Sequence, residues 1–145
     1  MLNLDTHVLI HALRGALTAK ERQILSADTW SISGIVLWEI SKLVQLGRIE
    51  MDLDDPEVVR ALSKIHTWPL TLEICKATHD LDFSSDPADE IIASTSIVHR
   101  LPLVIRDGKI RQSKFVPWRA EGMSWRASLR QRQQAPFRER GTPCE

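Results

Sequence analysis

Asp5, Glu39, Asp89 and Asp107 stand at places in the chain where a carboxylate can do chemistry. Asp5 ends the apolar run "LNL", and Asp107 follows a second apolar run, "LPLVIR". Asp89 lies one turn into a helix that opens at Asp86 and Pro87, a pairing suited to a cap and a first helical turn. Glu39 lies inside "GIVLWEISKLV", where Leu37, Trp38, Ile40 and Leu43 place it at or beside a buried face. A carboxylate in such company needs a partner.

Each acid also has a bland reading. Asp5 could cap the helix that follows it, Asp89 falls at a capping-box position, and Asp107 before Gly108 is a turn former. Glu39 has no comparable explanation. In an open parallel sheet, ligands bind beyond the carboxyl ends of the strands, where the strand order reverses. If the runs ending at Asp5 and Asp107 are neighbours there, all four acids come to one end of the sheet. Four carboxylates in one pocket repel each other, and a hard divalent ion with oxygen ligands relieves that repulsion. Mg²⁺ or Mn²⁺ suits such ligands best, and the chemistry implied is metal-assisted phosphodiester hydrolysis.

The elements that must position these residues follow from pattern. Residues 2–5 read as a strand and "THVLIHAL" as a helix ended by Gly15. "TAKE" at 18–21 has capping-box spacing and opens a second helix. "TWSIS" at 29–33 reads as a strand, and Ser33 precedes a helix from Gly34 to Leu46 with Gly47 at its stop. Asp55 and Pro56 start another helix, an extended piece lies near "WPLT", and Thr71 can cap "LEICKATHDL". The Asp86 helix runs to about His99, residues 101–106 form a strand, and "KFVPW" a last one ending at Trp118. Short apolar strands alternating with helices predict a three-layer α/β fold with a parallel sheet.

The 145 residues suit one domain, with 43% hydrophobic and 26% charged residues. Cys75 and Cys144 form no metal spacing or disulfide framework, which predicts a reducing cytoplasm. "MLNLDTHVLI" has no basic start and carries an acid, so it does not read as a signal peptide, and no apolar run is long enough for a membrane span. The net charge of zero hides an uneven distribution. Eleven acids between Glu50 and Glu90 face only Arg60, Lys64 and Lys76, whereas Arg100, Arg106, Lys109, Arg111, Lys114 and Arg119 face only Asp107. These are two solvated surfaces of opposite sign or, beside a carboxylate site, a basic rim that holds phosphates. The arginine-rich segment 119–145 has few apolar anchors and is expected to be a disordered or weakly helical tail.

"LDTHVLI", "ISGIVLWEISKLVQLGRI", "DPADEIIASTSI" and "LPLVIRDGKI" together resemble PIN domains, and more narrowly the VapC-type ribonuclease toxins of bacterial toxin–antitoxin pairs. The resemblance spans residues 2–118, so residues 1–118 are expected to form the domain. It implies a five-stranded parallel sheet in order 3-2-1-4-5, a Mg²⁺- or Mn²⁺-dependent endoribonuclease, a homodimer and a cognate antitoxin. The family's acidic positions fall on Asp5, Glu39, Asp89 and Asp107. Thr6 matches the hydroxyl residue after the first aspartate, and Ser33 the small polar residue before the glutamate helix. The basic stretch of Arg100, Arg106, Lys109, Arg111 and Lys114 is the candidate RNA track.

Glu90 departs from the family, since relatives often carry arginine there. A catalytically silent PIN-like binding module is therefore an alternative reading. An aspartate-nucleophile phosphatase or phosphotransferase would want a second early acid, but positions 6 and 7 are Thr and His. His7 and His11 lie four apart, yet no third ligand is near, and they read as exposed or capped. His66, His79 and His99 are expected at helix ends, Cys75 in the core, and Trp30, Trp38 and Trp68 in the core or a dimer interface.

Overall fold

A computed structural model describes residues 1–118. The tail expected beyond Trp118, with Cys144, lies outside the described residues. The chain runs β1 (Leu2–Leu4), α1 (Thr6–Leu13), α2 (Ala19–Ser26), β2 (Trp30–Ser33), α3 (Gly34–Gln45), α4 (Pro56–Ser63), β3 (His66–Trp68) and α5 (Leu72–Ala77). A 3₁₀ turn (Thr78–Asp80), α6 (Pro87–His99), β4 (Leu103–Val104) and α7 (Gly108–Arg111) complete it.

The starts and stops follow local chemistry. Thr18 and Glu21 close the expected capping box on α2, and Asp55 and Thr71 cap α4 and α5 through their side chains. Gly15 and Gly47, just past α1 and α3, take positive φ values of 67° and 66°, which glycine adopts without a Cβ clash. At Asp86 the expectation is met only in position. It occupies the N-cap of α6 but its side chain makes no capping bond.

All strand pairs are parallel, in order β3-β2-β1-β4. The sheet thus has four strands among the described residues, not the five expected. Where a fifth strand was read, Trp118 makes one parallel bridge to Leu103. The reason is local. Lys114 N–H is held by Asp82, and the N–H groups of Phe115 and Val116 by the Ser113 hydroxyl, which bends that segment into a turn. Pro117 has no N–H to offer a ladder. The strand expected over 101–106 shortens to Leu103–Val104, and α7 begins where a turn was read.

Leu2, Leu4, Val8, Leu9, Ile32, Val36, Ile40, Ile92, Leu103 and Ile110 join one buried cluster around the sheet. Helix α6 packs on α5, α3 and β2. It is pinned to β1 by buried Asn3, whose Nδ2 donates to Ile92 O at 3.2 Å and Ser96 Oγ at 2.8 Å. Cys75 is only half-buried, and Trp38 is 56% exposed rather than in the core. His66 lies on β3 instead of a helix end, with its ring edge-on to Trp68, which stacks on His99 at 3.9 Å. Among the described residues no helix is long and apolar enough to cross a membrane.

Candidate functional site

The strand order reverses at β1: the chain moves from it to β2 and β3 on one side, then returns to β4 on the other. Leu4 pairs with Val104, and Asp5 N–H donates to Val104 O at 3.1 Å. Asp5 is therefore seated at the carboxyl edge of the sheet, between its two halves.

Asp5 is a helix cap as well as a candidate ligand. Its Oδ2 accepts from His7 N–H at 3.2 Å, while its buried Oδ1 has no hydrogen-bond partner among the described residues. Glu39, half-buried in the second turn of α3, accepts a hydrogen bond from the buried Thr6 hydroxyl on α1. Ser33 is buried ahead of α3, but its hydroxyl does not cap the helix and finds no other partner among the described residues.

Asp89 does not close a capping box with Asp86. Its Oδ2 instead accepts from Ser85 Oγ at 2.8 Å, and Glu90 Oε1 accepts from Ser85 N–H at 3.1 Å. Glu90 thus turns back onto the loop before α6 and fixes the residue that holds Asp89. Asp107 caps α7, its Oδ1 accepting from Lys109 N–H at 2.7 Å and Ile110 N–H at 3.3 Å.

Electrostatics tie these acids together. Burial pushes the Glu39 carboxyl up, against the Thr6 hydrogen bond, and the charges of Asp5 and Asp89 push it further. Burial likewise raises Asp89, against the Ser85 bond, with repulsion from Asp5, Asp86 and Asp107 added. His7 is raised chiefly by its hydrogen bond to Asp5, with burial opposing and the charges of Asp5, Glu39 and Asp89 assisting. Three helices and one strand end have brought acids into mutual influence at one place.

Hard oxygen donors, an orphaned buried carboxylate oxygen and two acids held above their ordinary range fit a divalent cation. Among the described residues, no three His, Cys, Asp or Glu side chains stand close enough as they are to hold one. The donor types fit; closure around an ion is a further step.

The basic residues disperse. Arg106 is clasped by Glu21, with Nε to Oε1 at 2.6 Å and a second bond at 2.8 Å. Arg111 Nε donates to Ile105 O at 2.7 Å, and Lys114 follows the Asp82-bound turn. Arg100 caps the far end of α6, about 16 Å beyond Asp89 along the helix axis. Lys109 is joined to the acids through its backbone N–H on Asp107, and Arg106, though held by Glu21, still feels the charge of Asp5.

Sequence reasoning passed over two residues here. Ser85 is a hydroxyl four residues before Asp89, a spacing that reads as loop until the loop is seen to fold back. The sequence marks His7 as an exposed or capped histidine. It is 62% exposed, but its Nδ1 lies 3.7 Å from Asp5 Oδ2. The signal was its place two residues after a capping aspartate.

The parallel α/β sheet with acids at its switch point is also the fold that comparison with known proteins returns. The PIN domain family matches residues 3–116, and the chain belongs to that family. No curated protein matches it. Among solved structures it is similar to a toxin–antitoxin complex from Klebsiella pneumoniae, at 21% identity and a TM-score of 0.58, over 77% of this chain and 91% of that one. It is also similar to VapBC2 from Rickettsia felis bound to a promoter DNA fragment, at 17% identity and a TM-score of 0.60, over 78% and 93%. FitAcB from Neisseria gonorrhoeae shows 19% identity and a TM-score of 0.53, over 76% and 90%. At these identities the likeness is one of fold.

Proposed function

We propose that this chain is a Mg²⁺- or Mn²⁺-dependent endoribonuclease acting as the toxin of a toxin–antitoxin pair. The observation that carries the reading is the buried, unpartnered Oδ1 of Asp5 beside two carboxyls, Glu39 and Asp89, that burial and mutual repulsion push up. Such a group of acids is unfavourable by itself and favourable with a cation. Asp5, Glu39, Asp89 and Asp107 are the residues that would hold the ion. Bound there, it would supply Lewis acidity toward a phosphodiester and the attacking water.

The chain's own side chains do the rest. Thr6 aims Glu39, Ser85 aims Asp89, and the backbone cap of α7 restrains Asp107. Lys109, two residues after Asp107, is the candidate cation for a substrate phosphate, with Arg111 and Lys114 further along α7 and the turn after it. Arg106 can join them only by leaving Glu21.

The neighbours that are toxin–antitoxin complexes support a cognate antitoxin as partner. An arginine from such a protein, placed among the acids, would neutralise them by charge-assisted hydrogen bonds and block the cation. A homodimer and a cytoplasmic setting belong to the same proposal.

A silent PIN-like binding module is the second reading, favoured by the open spacing of the acids among the described residues. One experiment separates the two. The purified chain is incubated with single-stranded RNA in Mg²⁺, in Mn²⁺ and in EDTA, beside Asp5→Asn and Asp89→Asn. Cleavage that requires the metal, and falls by at least about a hundredfold in either folded variant, is expected. Binding without cleavage in every metal favours the module.

A further inference from the structure

Beside the acids lies a cavity of about 300 Å³ lined by Asp82, Phe83, Ser84, Lys109, Gln112 and Ser113. Two of its lining residues, Ser84 and Lys109, adjoin the candidate site along the chain. Ser84 is bonded to Ser85, whose hydroxyl lies 2.8 Å from Asp89 Oδ2, and Lys109 N–H lies 2.7 Å from Asp107 Oδ1. The walls are clasped together by Asp82, which accepts from Ser113 Oγ at 2.6 Å and Lys114 N–H at 2.8 Å. The cavity's width is thus set by bonds already made.

We propose that this cavity is the subsite for one unpaired base of the RNA strand, next to the phosphate that the acids act on. The inference rests on the ribonuclease reading and extends it to how the strand is seated. Its size is at the lower end for small-molecule pockets, enough for a single base and far too small for a duplex. Phe83 packs partly against the core, so the part of its ring lining the cavity is a fixed apolar surface of the kind on which unstacked bases lie. Among the described residues, no hydrogen bond engages the side chains of Ser84, Gln112 or Lys109. Ser84 and Gln112 therefore offer both donors and acceptors to a base edge, and Lys109 offers an ammonium to the adjoining phosphate. Ser113 is spent on Asp82, Phe115 and Val116, and shapes the floor. A base seated here must itself be unpaired, so a single strand enters at no cost whereas a duplex must first flip that nucleotide out.

The test uses two readouts on the full chain. In metal-free buffer, NMR spectra are followed during titration with each of the four ribonucleoside 5′-monophosphates to millimolar concentration. Separately, the cut positions in a random single-stranded RNA pool are sequenced for wild type, Gln112→Ala and Ser84→Ala. Both residues are exposed, so the variants should fold, and their NMR spectra check this directly. The expected result is shifts at Ser84, Lys109 and Gln112 that differ among the bases. The base preference at one position beside the cut should weaken severalfold in Gln112→Ala. Wild-type cleavage with an unchanged preference in both variants, and no nucleotide shifts at the cavity, overturns the subsite and leaves the ribonuclease reading standing. Base-dependent shifts without cleavage by the wild type support the subsite and count against the ribonuclease.

Discussion

Asp89 illustrates how one residue meets two demands. As a first-turn acid it favours the amino end of α6, yet it sits within reach of the charges of Asp5, Asp86 and Asp107, and burial raises its carboxyl. Glu39 is raised for similar reasons. A carboxyl raised on folding binds protons that the unfolded chain releases. Its cost to stability is absent below the ordinary carboxylate range, grows as pH rises through the window between the unfolded and folded values, and is full above it. Asp89→Asn removes that cost. In metal-free buffer at pH 7 we expect the variant to melt a few degrees above wild type, with the gap closing near pH 3. Saturating Mn²⁺ should reverse the order by stabilising the wild type alone. Calorimetry with and without the ion checks both. A lower melting temperature for metal-free Asp89→Asn would show that the Ser85 bond outweighs the repulsion.

At the scale of the element, the loop before α6 is what aims Asp89. Ser85→Ala deletes its hydroxyl partner and should lower cleavage about fivefold to tenfold in a chain that still folds, the worth of one hydrogen bond. Glu90→Gln keeps an acceptor for Ser85 N–H and should retain most activity, whereas Glu90→Ala should resemble Ser85→Ala. Equal losses in both Glu90 variants, read from single-turnover rates, would mean that the charge matters and not the bond. The Glu21–Arg106 pair joins α2 to the segment after β4. Arg106 holds Glu21 down to about 2, against the opposing effect of burial, with Thr18 assisting. A depressed acid stabilises the fold above its unfolded value and loses that contribution as pH falls. Arg106→Gln should therefore cost up to about 1 kcal/mol at pH 7, after allowance for solvent screening at a partly exposed pair. Urea titrations should show the difference shrinking from about pH 4.5 downward and vanishing near pH 2.

For the whole molecule, what the sequence made legible was whatever depended on local periodicity and caps. The order of elements, the parallel pairing, the Thr18 box and the two terminal glycines all rest on signals within a few residues. That Asp5 lies at the switch point was readable only on the condition that β1 and β4 are neighbours, and the strand order itself came from the family resemblance, not from the apolar runs. That residues 114–117 form no fifth strand was not readable, since it depends on Asp82 reaching Lys114 and Ser113 across 31 residues or more. Likewise, no local pattern tells that Arg106 spends its charge on Glu21, 85 residues away. The domain boundary proposed at Trp118 follows from the extent of the family resemblance, residues 2–118, which holds all four acids. A chain of residues 1–118 should cleave RNA at close to the full-length rate, with at most weaker affinity at low salt. Complete loss of cleavage in a folded 1–118 chain would place a needed group beyond Trp118.

If Asp5 and its neighbours seat a divalent cation, Mn²⁺ must bind there. Electron paramagnetic resonance of free Mn²⁺, titrated with wild-type chain and with Asp5→Asn, counts the bound ions without reference to any substrate. One bound ion per wild-type chain is predicted, with at least a tenfold weaker site in the folded Asp5→Asn variant, as expected when a ligand with an unpartnered oxygen is neutralised. Equal Mn²⁺ binding by the two proteins, or none by the wild type, would contradict the account.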